Sequence, residues 1–151
     1  MFSQLFSKIL LFLLPLTAFA QTAQDWKAME RSIGVVLAND LGRNGYYDQK
    51  PISETMAALC ETVDVECVVA PDDIHHFEGV RSVDDPLWMT NYELIYSHPE
   101  LMIPWHCTLG NHEYRGNTQA CLDYTRQSAR WNMPERYHPS VLPADHATTL
   151  R

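Results

Sequence analysis

The apolar positions of this chain fall into short unbroken runs that alternate with stretches of helical period. Ile33-Gly34-Val35-Val36-Leu37-Ala38 is a brief apolar run ended by polar Asn39-Asp40 and by Gly42, the pattern of a buried strand. Arg43-Asn44-Gly45 reads as a turn. Ile52, Met56, Leu59, Cys60 and Val63 then recur at helical spacing, with Pro51 placed to open the helix. Cys67-Val68-Val69-Ala70 predicts a second strand that ends in Pro71-Asp72-Asp73. Asp85-Pro86 is a cap and first-turn pair for a third segment carrying Leu87, Trp88, Asn91, Tyr92 and Ile95, closed by His98-Pro99. Met102 to Leu109 predicts a third strand, and Thr118 to Ala129 a further helix. From Met133 to Arg151 periodicity fades and Pro134, Pro139 and Pro143 interrupt the chain. Strand, helix, strand, helix, strand implies an α/β fold, a parallel βαβαβ unit with right-handed crossovers.

The first twenty residues stand apart. Lys8 precedes the apolar run Ile9 to Leu14, and Ala18-Phe19-Ala20 has the small-x-small form of a cleavage site, so residues 1–20 read as a signal peptide and 21–151 as one partial domain. The run is shorter than the roughly 20 apolar residues a spanning helix needs, so no membrane span is expected after cleavage. The expected location is secreted or periplasmic. Formal net charge is −8, and loss of Lys8 makes it one unit more negative. Acidity of this degree argues against nucleic-acid partners, which require clustered Lys and Arg. It leaves phosphate substrates open, because bound cations can dominate a site's local charge. Cys60, Cys67, Cys107 and Cys121 lack the paired spacing of a zinc knuckle. A short-loop bridge between Cys60 and Cys67 and buried free thiols both remain open.

Each predicted strand ends in polar side chains that suit a metal: Asp40 after the first, Asp73 after the second, Gly110-Asn111-His112-Glu113 after the third. Ligands of open α/β sheets lie outside the carboxyl ends of the strands, and hard cations favour carboxylate and amide oxygen, with imidazole completing zinc and iron sites. An aspartate alone before Gly42 would read as a turn former; its place in this ordered set points to ligation. The set resembles the calcineurin-like metallophosphoesterases, and within them the acid phosphatase branch related to purple acid phosphatases, from about Ser32 to Arg151.

The resemblance implies the N-terminal half of a metallophosphoesterase sandwich. It also implies a dinuclear site holding two divalent or trivalent ions (Fe, Zn or Mn), with Asp40 a ligand of the first and Asp73 bridging both. Asn111 would be the amide ligand of the second, and His112 would face the phosphate-ester substrate as catalytic residue. Arg43 and Asn44 are candidate phosphate contacts. His76 stands where purple acid phosphatases carry the tyrosine that binds ferric iron, and remains a competent ligand. Asp72 stands where the family usually has glycine. His75 is expected to point elsewhere, and Glu113 to support or cap the turn. The family's further histidines, typically one isolated and a Gly-His-x-His pair, have no counterpart, and neither His138 nor His146 has that context. The expected function is hydrolysis of phosphate monoesters by a chain that carries the N-terminal part of the site. The alternative is a non-catalytic remnant that at most binds metal or phosphate.

Overall fold

The computed structural model describes residues 33–140; residues 1–32, with the expected signal peptide, and 141–151, with His146, lie outside the described residues. Four parallel strands, β1 (Val35–Leu37), β2 (Cys67–Ala70), β3 (Trp105–Cys107) and β4 (Trp131–Asn132), form one sheet in chain order. Val36, Val68, Trp105 and Trp131 are successive register partners and form one row across it. That row faces the core. Against it pack the helix α1 (Gln49–Thr62), through Ser53, Met56, Ala57 and Cys60, and the segment Trp88–Glu93. Trp88 stacks on Tyr124 at 3.6 Å, while Tyr92 meets Trp105 and Trp131 edge-on at 5.1 and 5.2 Å. Such pairs add to the apolar area these rings remove from water. On the opposite face and along the edge, Val35 and Leu37 are 39% and 74% exposed.

The elements depart from the sequence pattern in five respects. Strands one and three are shorter than their apolar runs, because Ile33 and Ala38, and Met102 to Pro104, lie outside the ladder. The helix begins at Gln49 rather than at Pro51, since Asp48 adopts a left-handed conformation (φ 62) that stops the helix extending backwards. The third segment is a π-helical turn, Trp88–Glu93, followed by a 3₁₀ turn at Pro99–Leu101. Its i+5 bond, from Leu94 N–H to the Met89 carbonyl (3.0 Å), widens the coil so that Trp88, Asn91 and Tyr92 all face inward. The last predicted helix, α2 (Thr118–Asp123), is capped by Asn117, and its final turn tightens into the 3₁₀ turn Tyr124–Arg126. Beyond it comes β4, which the periodicity did not predict; two residues are too few to show alternation.

All four cysteines are buried free thiols. Among the described residues, no helix is long and apolar enough to cross a membrane.

Candidate metal centre

Pairing between strands continues past their ends and brings the candidate ligands together. Ala38 N–H donates to the Val69 carbonyl (3.0 Å), Leu41 N–H to the Asp73 carbonyl (3.0 Å), and Thr108 N–H to the Ala70 carbonyl (3.0 Å). Asp40 and Asp73 both take positive φ, 55° and 41°. Non-glycine residues in this region are strained, and such strain is concentrated at sites of function. The strained backbone at the two strand ends is held by neighbours. Buried Gln49 accepts the N–H groups of Arg43 (3.1 Å) and Gly45 (2.7 Å) and donates to the Asn91 carbonyl (2.8 Å). Asn91, fully buried in the π turn, accepts the Asn44 N–H at 2.6 Å. Glu113 ties the other two loops, accepting His75 N–H and Gly110 N–H, each at 2.8 Å. Burial raises the Glu113 carboxyl even so.

Ligand atoms of Asp73, His76 and His112 lie within 4.8 Å of one another. His112 N–H donates to Asp73 Oδ1 (2.9 Å), and His112 Nε2 stands 4.0 Å from Asp73 Oδ2. The Phe77 carbonyl lies 2.6 Å from His112 Nδ1; a carbonyl only accepts, so Nδ1 carries a proton, and Nε2 is the nitrogen that faces Asp73. His76 Nε2 is 3.6 Å from Asp40 Oδ1, and its ring centroid is 4.2 Å from that of His112. The imidazole of His76 therefore sits between Asp40 and His112.

These residues fit a cation. His76 is 4% exposed, and its Nδ1 finds no hydrogen-bond partner. Burial, with Arg43 and His112 beside it, lowers its pKa, which favours the neutral form a metal requires. Gly110 leaves room for the carboxylates: a Cβ there would lie 1.9 Å from Asp72 Oδ1 and 2.2 Å from Asp73 Oδ1. Burial raises the Asp72 carboxyl, and Asp73 and Asp40 beside it raise it further.

The other sequence candidates are placed less tightly. Asn111 is exposed, next to His112 of the cluster. Arg43 stacks between two rings, 5.2 Å from Phe77 and 5.6 Å from Tyr47, on the rim near His112. The Asn44 side chain is engaged, its Oδ1 accepting the Thr90 hydroxyl at 2.6 Å. His75 is a core residue, edge-on to Trp88 at 4.4 Å, and burial drives its pKa down to about 3. His138 Nδ1 meets the Glu135 carbonyl instead of a metal-compatible group. Gln49 and Asn91, which hold the Asp40 loop, carry no motif signal, because buried amides in helices look like ordinary polar positions.

Carboxylate and imidazole side chains gathered on loops at the carboxyl edge of a parallel sheet make a potential metal-binding cluster in an α/β domain. No family model matches the chain. It is 36% identical to purple acid phosphatase 4 of Arabidopsis thaliana over 126 residues, 82% of this chain and 37% of that one. It is 33% identical to purple acid phosphatase 7 of the same plant, over 70% of this chain and 33% of the relative. Tartrate-resistant acid phosphatase type 5 of Sus scrofa shares 31% over 57% of this chain and 26% of its own length. The chain belongs to the calcineurin-like metallophosphoesterases, in the branch of the purple acid phosphatases, and spans 37% or less of the length of these relatives. Among solved structures, GAP50, described as the anchor in the inner membrane complex of Plasmodium, matches with a TM-score of 0.63 at 23% identity, over 70% of this chain and 35% of that one. At that identity the match shows the shared fold alone.

Proposed function

We propose that this chain carries part of the catalytic centre of a metal-dependent phosphomonoesterase. The observation that carries the reading is the convergence of Asp73, His76 and His112 at the carboxyl edge of the sheet, in a chain related to phosphatases. Asp40, Asp73, His76 and Asn111 would hold a pair of divalent or trivalent ions. Bound there, the ions would supply Lewis acidity for the phosphoryl oxygens and for the attacking water. The remaining roles belong to the chain. Asp73 fixes the turn by accepting the His112 N–H, and His112, anchored through Nδ1 to the Phe77 carbonyl, presents Nε2 for proton transfer to the departing alcohol. Arg43, stacked on Phe77 and Tyr47, offers a guanidinium at the rim for the phosphate. Residues 1–20 would direct export.

One observation favours the second reading, a metal- or phosphate-binding chain without turnover: among the described residues only one group of three such ligands is gathered. Hydrolysis of p-nitrophenyl phosphate with and without chelator separates the two. A protein of its relatives' length that carries these residues is expected to turn over in a chelator-sensitive way, and residues 1–151 alone to show little turnover. A full-length protein loaded with metal and inert toward phosphate monoesters would contradict the enzymatic reading.

A further inference from the structure

We propose that Arg115 is a positioning residue for His112: its guanidinium and the His112 ring share the Phe77 carbonyl, and that shared grip sets where the imidazole points. The inference deepens the reading above and rests on it. The Phe77 carbonyl accepts from His112 Nδ1 at 2.6 Å and from Arg115 Nη1 at 3.3 Å. A carbonyl oxygen has two lone pairs, so it can hold both donors at once. Arg115 Nη1 and His112 Nδ1 lie 3.5 Å apart, the spacing of two donors that converge on one oxygen. Among the described residues Arg115 takes part in none of the ion pairs, so no carboxylate draws its guanidinium away from this carbonyl.

The backbone delivers both donors to the same place. Arg115 ends the 3₁₀ turn Glu113–Arg115, and its N–H donates to the His112 carbonyl at 3.1 Å, so guanidinium and imidazole rise from one turn. The loop that carries Phe77 is pressed against that turn at two glycines. A Cβ at Gly79 would lie 2.9 Å from the His112 carbonyl oxygen, and one at Gly116 would lie 2.6 Å from that of Val80. Asn117 N–H donates to the Val80 carbonyl at 2.7 Å and closes the contact. The Phe77 side chain is 56% exposed, with Arg43 over its ring at 5.2 Å, so two guanidiniums hold Phe77, one at the ring and one at the carbonyl. An imidazole still turns about its own side-chain bonds, and proton transfer needs Nε2 within hydrogen-bond reach of the departing oxygen. The Phe77 carbonyl stops that rotation, and Arg115 keeps the carbonyl aimed.

The test compares Arg115→Ala and Arg115→Lys with wild type. In the full 151-residue chain, proton–nitrogen NMR reads the His112 Nδ1 proton, which exchanges slowly with water while a carbonyl holds it. Wild type is expected to show that proton, Arg115→Ala to lose it, and Arg115→Lys, which keeps a donor for the carbonyl, to restore most of it. In a protein of its relatives' length that carries these residues, Arg115→Ala is expected to lower kcat for p-nitrophenyl phosphate about tenfold with KM little changed, the signature of a misplaced group. Arg115→Lys should recover most of that loss. An Nδ1 proton that persists unchanged in Arg115→Ala overturns the proposal. A raised KM at unchanged kcat overturns it too, by making Arg115 a phosphate contact. Equal losses in both variants, with a lower melting temperature in both, would make the role structural and overturn it as well. Loss and rescue of the proton as expected, in a protein inert toward phosphate monoesters, would overturn the proposed function and leave the grip on His112 standing.

Discussion

His76 and Asp72 stand where the resemblance to the family leads one to expect a tyrosine and a glycine, and the two differences oppose each other in charge. A neutral imidazole stands where the resemblance places a phenolate, and a carboxylate where it places glycine. A protein of its relatives' length that carries these residues, loaded with iron, is therefore expected to lack the visible tyrosinate band. A purple preparation would show that another tyrosine binds iron, with Tyr46 and Tyr47, 71% and 77% exposed near Arg43, the first to examine. In the same full-length protein His112→Ala should lower turnover by about 10²–10⁴-fold while metal uptake persists, as expected of a general acid. Lost uptake would make His112 a ligand. His75 carries a different prediction. Its folded pKa, about 3, lies below the ordinary value of 6.5, so between those values the unfolded chain holds a proton that the folded chain does not. Stability should then fall as pH drops through that window, by up to about 1.4 kcal/mol per pH unit from this residue. His75→Phe should flatten that part of the slope in urea titrations between pH 7 and 4. A wild-type-to-variant difference that stays constant with pH would contradict the assignment.

At the scale of elements, the site depends on how three strand ends are tied. Glu113 bridges the loops after β2 and β3 with two buried hydrogen bonds, and Glu113→Ala should cost about 3 kcal/mol, because two buried N–H groups lose a charged acceptor. Gly110→Ala would drive a methyl to 2.4 Å from the Asp73 backbone nitrogen and into both carboxylates, so it should destabilise by about 2 kcal/mol and impair metal uptake as well. An alanine variant that melts like wild type would show that the turn is looser than described. Much of this frame was legible in the sequence. Apolar runs located β1, β2 and β3, the spacing of Met56 and Cys60 located α1, and the polar residues after each run located Asp40, Asp73 and His112. What periodicity did not show depends on tertiary contacts. The π turn is decided by the inward packing of Trp88, Asn91 and Tyr92 together. Strand β4 is decided by Trp131 joining the row of Trp105. Arg130, just before it, is buried among the Tyr92 ring at 4.3 Å and the Glu93 carboxylate at 2.8 Å, a pairing no local pattern reveals.

For the whole molecule, one sheet face is packed with aromatic rings, while Val35 and Leu37 stand exposed on β1 at the edge. Among the described residues β1 pairs on one side only, and an unpaired edge templates association. The chain of 151 residues is expected to self-associate with rising concentration, and Leu37→Lys to reduce this in light scattering. Equal scattering from both would place the association elsewhere. The central claim, however, is that strand ends far apart in sequence assemble one cation site, with Asp73 and His76 as its indispensable ligands. Its most direct test is the metal content of the full chain after equilibration with Zn²⁺ or Mn²⁺ and gel filtration, compared with Asp73→Asn and His76→Ala. The account predicts metal retained by wild type and lost from each variant with the fold intact by circular dichroism; retention undiminished in both variants would contradict it.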